Sequence, residues 1–381
     1  GLMTIFFFYV GLEIKREVLV GELSSVRQAI LPIIAAAGGM LIPMLFFFLV
    51  GNHYGFDATE FKGVAIPMAT DIAFSLGVLT LLGKRVPMSL KIFLLTLAIT
   101  DDIGGILIIA MAYSHIGKAS LIYLLVSLGL FILLLIGNRL RINNKVFYYS
   151  IGIIVWYLFL QAGIHPTIAG VIVAFTVPAR PYINLKKYTD GLQRDINVIN
   201  STIRDLSEQS IILSNIQVRY LARIEAASDR VISPLQDLED SLGDFVNYII
   251  MPLFAFANAG VVFDISTFSP FTGVSLAVMV GLILGKLVGI FSFTFLAIKL
   301  KISKMPNGMD WANLAGLSML GGIGFTVSLF LTGLSYTGYP ALLNDAKTGI
   351  IFGSLIDGFL GFIILNFVLK KDKSPKTPES I

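Results

Sequence analysis

Residues 89–113 read SLKIFLLTLAITDDIGGILIIAMAY, an apolar stretch long enough to cross the hydrocarbon core of a bilayer as a helix, with two adjacent aspartates near its centre. At a rise of 1.5 Å per residue, Asp101 and Asp102 fall about 13 residues in, close to mid-depth. An ionisable side chain there costs a few kcal/mol or more, so such residues mark sites of function. Consecutive helical positions point about 100° apart, and the two carboxylates must therefore address different neighbours.

The rest of the chain has the same character. Of 381 residues, 56% are hydrophobic and only 14% charged, where a soluble domain carries about 25%. The mean hydropathy is +0.84. An ordinary soluble domain is excluded, and the fold class expected is an all-α polytopic membrane protein. Apolar windows fall near 1–14, 28–50, 63–82, 89–113, 120–137, 146–163, 165–178, 245–263, 272–298, 312–336 and 346–369. The absence of cysteine rules out disulfides, thiolate metal sites and cysteine nucleophiles, and His53, His115 and His165 are too scattered for a zinc cluster. A net charge of +4 is explained by basic loops on one membrane face, and nucleic acid is not an expected partner. The chain begins on Gly1 inside an apolar window and has no signal peptide, so it reads as lacking its true start.

Basic residues order the loops. Lys15, Arg16, Arg27, Lys84, Arg85, Lys91, Arg139, Arg141 and Lys145 fall on one side, together with the basic residues of 180–230, 299–304 and 370–376. The other side holds Lys62, Lys118 and Lys347. This asymmetry places the C-terminus in the cytoplasm. The expected organisation is a first membrane part over 1–178, a cytoplasmic helical insert over 179–244, a second membrane part over 245–369 and a cytoplasmic tail over 370–381. Within the insert, Leu192, Ile196, Ile199, Ile203 and Leu206, then Leu213, Tyr220, Ile224, Ala227 and Val231 recur at heptad spacing, interrupted by Ser210 and Gln217. That seam suits a helix lying on its own protein or on the membrane surface, or a coiled coil with a partner.

Other ionisable residues lie at depth. In Ile66-Pro67-Met68-Ala69-Thr70-Asp71-Ile72, Pro67 lacks a backbone donor and disfavours helix before it, which predicts a broken helix at Asp71. Lys286 lies about 14 residues into its window, at a depth that suits a counter-ion for one of the paired aspartates. Gly321-Gly322-Ile323-Gly324-Phe325-Thr326 weakens a second helix in mid-span. Glycines of this kind also serve close helix packing. The windows 28–50, 63–82 and 89–113 correspond to 272–298, 312–336 and 346–369, with the interrupted member in the middle of each triplet. Because the triplets start on opposite sides, they form an expected inverted repeat whose freed backbone lines a cavity. Asp357 sits in the repeat partner of the aspartate span. Glu13, Lys15, Arg16, Glu17 and Glu22 cluster at the end of the first window, a run that by itself reads as a solvated face.

The strings FFFYVGLEIKRE (6–17), ATDIAFSLGVL (69–79), the Asp101-Asp102 pair, MPLFAFANAG (251–260) and GIGFT (322–326) together resemble the NhaA-type sodium/proton antiporters in order and spacing. The resemblance spans the chain apart from the insert. It implies a bacterial inner-membrane protein in which two broken helices cross beside the carboxylates. It further implies electrogenic, pH-regulated exchange of Na⁺ or Li⁺ for protons, a possible homodimer and no resident cofactor. By the same resemblance Asp102 is the principal ion ligand, Asp101 pairs with Lys286 or shares in binding, and Asp71 supports the first break. Thr70, Gly322, Gly324 and Thr326 supply the broken-helix backbone, and Glu13, Arg16 and Glu17 become pH-response residues. The chain departs from the family pattern in four ways. The family's first span and dimer hairpin lie before Gly1, Gly243 stands where the family has a histidine, the insert is longer, and Asp357 is not a recognised family ligand.

The carboxylates alone suggest a mechanism. Two like charges about 4 Å apart repel by roughly 4 kcal/mol at an effective dielectric near 20, so a bare pair is unfavourable and either a cation or protons must neutralise it. Competition at a site that opens alternately to each side gives exchange. Lys286 then either releases a proton when Asp101 changes partner or only stabilises the bundle. A sodium-coupled symporter for an organic solute would use similar features. An intramembrane aspartyl protease would need its aspartates on separate helices in Tyr-Asp and Gly-x-Gly-Asp settings, which the sequence lacks.

Overall fold

The computed structural model describes residues 1–112, 120–140, 142, 144–180, 185–204, 215–260, 271 and 273–370. His115, Lys118, Leu206, Ser210, Leu213, part of the 245–263 window and all but the first residue of the 370–381 tail lie outside them. Among the described residues the regular structure is helical. The α-helices are α1 (Leu2–Leu19), α2 (Val26–Tyr54), α3 (Ile72–Leu81), α4 (Met88–Ala112), α5 (Ser120–Arg139), α6 (Lys145–Ala162), α7 (Pro166–Thr176) and α8 (Leu185–Arg204). They continue as α9 (Asn215–Val231), α10 (Pro234–Phe245), α11 (Met251–Asn258), α12 (Gly273–Val280), α13 (Lys286–Lys299), α14 (Trp311–Leu320), α15 (Phe325–Ser335) and α16 (Pro340–Lys370).

Among the described residues, six helical rods are long and apolar enough to cross a membrane, including α2, α4 and the joined α12–α13, and two bent pairs, each taken as one span, bring the number to eight. Apolar α7 is shorter, and α1 carries four charged residues within its length. Helix α1 continues five residues beyond the apolar window that ends at Ile14, because Lys15, Arg16 and Glu17 are good helix formers once lipid no longer sets the limit. Lys15 reaches from it to cap the end of α7, donating to the carbonyls of Phe175 at 2.6 Å and Val177 at 2.5 Å.

The predicted breaks are present. A 3₁₀ helix, Glu60–Met68, precedes α3 at a bend of 42°, and α14 meets α15 at 46°. Pro67 lies in the last turn of the 3₁₀ helix, and Asp71 caps α3 by accepting from the Phe74 amide at 3.2 Å. Single π-turns interrupt two other rods, at Val246–Ile250 and at Gly281–Gly285 immediately before Lys286.

Helix α2 packs along α12 and α13. A Cβ at Gly38 would stand 2.3 Å from the Gly289 carbonyl, and one at Gly289 only 2.2 Å from the Gly38 carbonyl. Small residues here let the two backbones touch, which in lipid replaces the hydrophobic drive that water supplies elsewhere. Buried apolar side chains from α1, α4, α12, α15 and the 3₁₀ helix Glu60–Met68 surround the crossing from one side, and those of α2, α4, α13, α14 and α16 from the other.

The described parts of the heptad seam pack against each other. Helices α8 and α9 pack together as separate elements, joined by a Tyr188–Ser228 hydroxyl contact of 2.7 Å and an Arg223–Asp195 pair at 3.5 Å. Apolar residues spaced for one face serve a hairpin as well as a single rod, and periodicity alone does not distinguish them.

Candidate functional site at the crossing of two broken helices

A broken helix frees backbone groups that lipid cannot satisfy, and each break here is completed by side chains of the other. Ser75, four residues after Asp71, donates to the Leu320 carbonyl at 2.8 Å, and Ser328, four residues after Gly324, donates to the Ile66 carbonyl at 2.9 Å. The Asp71 amide donates to the Ile323 carbonyl at 2.6 Å. The Asp71 carboxylate accepts from the Thr326 amide at 3.0 Å and its hydroxyl at 2.5 Å. One fully buried carboxylate thus lies at the N-terminal ends of both α3 and α15, where two partial positive charges would otherwise face each other. Hydroxyls and an amide satisfy the freed backbone groups, and Ile323 and Phe325 of the second break line a cavity shared with α3 and α16.

The C-terminal ends of the preceding half-helices meet a cation instead. Lys286, fully buried, donates to Asp101 Oδ2 at 2.6 Å and to Thr70 Oγ1 at 2.9 Å. Thr70 Oγ1 in turn lies 2.7 Å from Asp101 Oδ2 and 2.8 Å from the Gly321 carbonyl. Its single proton serves one of these acceptors at a time. Thr70 thus joins both breaks and the ion pair through its side chain, a part that its place in the first break did not foretell.

Asp102 lies one residue on, is 3% exposed, and points elsewhere. Asp102 Oδ2 and Asp101 Oδ1 are buried without a hydrogen-bond partner among the described residues. A buried charge without a partner is costly, whereas oxygen atoms left bare in this way are the donors a hard monovalent cation or a proton would take. Gly322 and Gly324 hold the second break close. A Cβ at Gly322 would stand 2.4 Å from Asp357 Oδ2 and 2.9 Å from the Leu282 carbonyl, and one at Gly324 3.0 Å from the Ala69 carbonyl.

The charged residues of α1 gather apart from the crossing. Arg16 pairs with Glu239 of α10 at 2.8 Å and lies 3.6 Å from Glu17, while the Tyr9 hydroxyl donates to Glu13 at 3.0 Å. Glu13 remains within electrostatic reach of Asp102. Gly243 lies over Tyr9, whose ring would be 3.7 Å from an added Cβ. Burial pushes the Glu239 carboxyl above its ordinary range, and Arg16 partly offsets this. Sequence reading did not single out Glu239. Its only local signal is an acidic residue in a capped helix entering a span, since the Arg16 contact joins distant parts of the chain.

An apolar bundle in which two interrupted helices cross beside a buried lysine–aspartate pair and a second bare carboxylate has the architecture of a secondary transporter. The profile of the Na⁺/H⁺ antiporter 1 family matches residues 1–365, and the chain belongs to that family. It is 53% identical over 376 residues to the Na⁺/H⁺ antiporter NhaA of Bacteroides fragilis, covering 97% of this chain and 83% of that protein. The NhaA of Phocaeicola vulgatus is also 53% identical, over 97% of this chain and 81% of its own length. That of Helicobacter pylori is 43% identical, with 97% and 82% covered.

Proposed function

We propose that this protein exchanges Na⁺ or Li⁺ from the cytoplasm for external protons across a bacterial inner membrane, by competition at Asp102 and Asp101. The observation that carries the reading is the bare, buried Asp102 Oδ2 beside the Lys286–Asp101 pair at the crossing. Either a cation or a proton relieves such an oxygen, and both cannot occupy it together. Names of the relatives, each a Na⁺/H⁺ antiporter, support Na⁺ and protons as the exchanged ions. Asp71 and Lys286 act as electrostatic support for the facing half-helix ends, and Lys286 also responds when Asp101 changes partner.

The excess of basic loop residues supports a cytoplasmic C-terminus and a cytoplasmic position for the 179–244 segment between the two membrane parts. The Glu13–Arg16–Glu17 group near that face is the proposed place of pH response, and assembly as a homodimer belongs to the same reading.

Proteoliposomes with an imposed pH gradient test it. Na⁺ or Li⁺ alone should dissipate the gradient, and Asp102→Asn should abolish the signal. A requirement for an organic solute would replace exchange by symport, and a full signal from Asp102→Asn would remove that residue from the site.

A further inference from the structure

Asp357 is a buried acid to which the exchange reading gives no task. It lies on α16, is fully buried, and neither of its carboxylate oxygens has a hydrogen-bond partner among the described residues. Ser354, one turn earlier on the same face, also has a buried hydroxyl without a partner. The space that an added Cβ at Gly322 would need is shared by Asp357 Oδ2, 2.4 Å away, and the Leu282 carbonyl, 2.9 Å away. Asp357 is therefore set against the end of α14 and the π-turn Gly281–Gly285. Both features present carbonyl oxygens, and neither favours an anion. A carboxylic acid in its neutral form suits that setting, because it turns one oxygen into a donor.

Lys286 stands four residues beyond Leu282 on the same rod, and its ammonium is within electrostatic reach of Asp357. Side chains on a helix lean toward its N-terminus, which carries the lysine stem back over the Leu282 turn. Lys286 thus has one acid in hand, Asp101, and a second nearby on the far side of the break.

We propose that Asp357 is the alternate partner of Lys286, neutral while Lys286 holds Asp101 and ionised when a cation takes Asp101 away. This rests on the exchange reading. The steps balance without altering the lysine. Na⁺ binds Asp101 and Asp102. The Asp357 proton leaves to the aqueous side then open, and the resulting carboxylate pairs with the ammonium, which would otherwise be a buried, uncompensated charge. When Na⁺ departs, Asp357 takes up a proton and Lys286 returns to Asp101. One proton released on Na⁺ binding thus comes from α16.

The test is Na⁺ binding to the purified full chain by calorimetry in two buffers of different ionisation enthalpy, which counts protons released. Asp357→Asn should bind Na⁺ more weakly, because Lys286 then lacks its alternate partner, and should release about one fewer proton per bound ion. Asp357→Glu should restore the count. An unchanged count in Asp357→Asn overturns the proposal. Infrared difference spectra supply the second measurement. The protonated-acid carbonyl band of the Na⁺-free protein should lose intensity in Asp357→Asn, and identical spectra overturn the proposal even if one variant folds poorly. Failure of the exchange reading has a different sign, namely Na⁺ binding and transport that survive Asp102→Asn.

Discussion

Asp71 and Thr326 stand 255 positions apart in the chain, yet the Asp71 carboxylate accepts both the amide of Thr326, at 3.0 Å, and its hydroxyl, at 2.5 Å. The same side chain caps its own helix through Phe74. One residue therefore ends two orphaned sets of donors at once. Asp71→Ala should destabilise the protein by about 2–4 kcal/mol, as a doubly used cap lost from a buried site. Asp71→Asn, which keeps an acceptor oxygen, should cost less. Thermal unfolding of the purified protein measures both, and equal midpoints for wild type and Asp71→Ala would contradict this account.

Lys286 and Asp101 form a pair buried on both sides. Removing one partner leaves the other as an unmatched buried charge, so Lys286→Met should cost about 3–5 kcal/mol. The neutral double variant Lys286→Gln with Asp101→Asn should recover a large part of that loss. A double-mutant cycle on unfolding midpoints checks this, and additive losses would show that the two groups do not depend on each other.

Gly322 and Gly333 offer a matched comparison within one broken span. A methyl at Gly322 meets Asp357 and the backbone carbonyl of Leu282, and the carbonyl cannot swing aside as a carboxylate can. Nothing lies within 4 Å of a Cβ at Gly333, inside α15. Gly322→Ala should therefore lower the unfolding midpoint, whereas Gly333→Ala should hold or raise it, through a helix-propensity gain of up to about 1 kcal/mol in stability. The opposite ranking would place the close contact elsewhere.

Glu239 carries a carboxyl that burial raises, so the folded state binds its proton more tightly than the unfolded chain does. Its contribution is fully present below the ordinary glutamate value of about 4.3 and declines as pH rises through the elevated value. Glu239→Gln removes that decline while losing the Arg16 contact. Its unfolding midpoint, followed from acid toward neutral pH, should lack this downward component, and a profile parallel to wild type would contradict the shift.

Much of the frame was legible in the residues. Apolar windows located the six long rods and the two bent pairs found among the described residues, because a bilayer imposes a length and leaves no other solvent for the backbone. Pro67 announced the first break, and the glycines near 322 announced the second, since each removes support from a local helical ladder. Less followed where local rules allow two outcomes. The first half-span is 3₁₀ rather than α, a π-turn precedes Lys286, and the heptad seam yields two helices, α8 and α9, that pack on each other.

By itself the sequence determined that this is a helical membrane protein, where its helices are interrupted, and that acids and a lysine fall within its apolar windows. These are consequences of hydropathy and of backbone chemistry within a few residues, which a linear string records. The three-dimensional packing alone decided that Lys286 takes Asp101 and leaves Asp102 Oδ2 bare, that Thr70 links the pair to the opposite break, that Arg16 meets Glu239, and that Asp357 lies against Gly322. Each depends on the rotation and crossing of helices far apart in the chain, set by small-residue contacts such as Gly38 on Gly289, and spacing along one helix carries no information about where another will touch it.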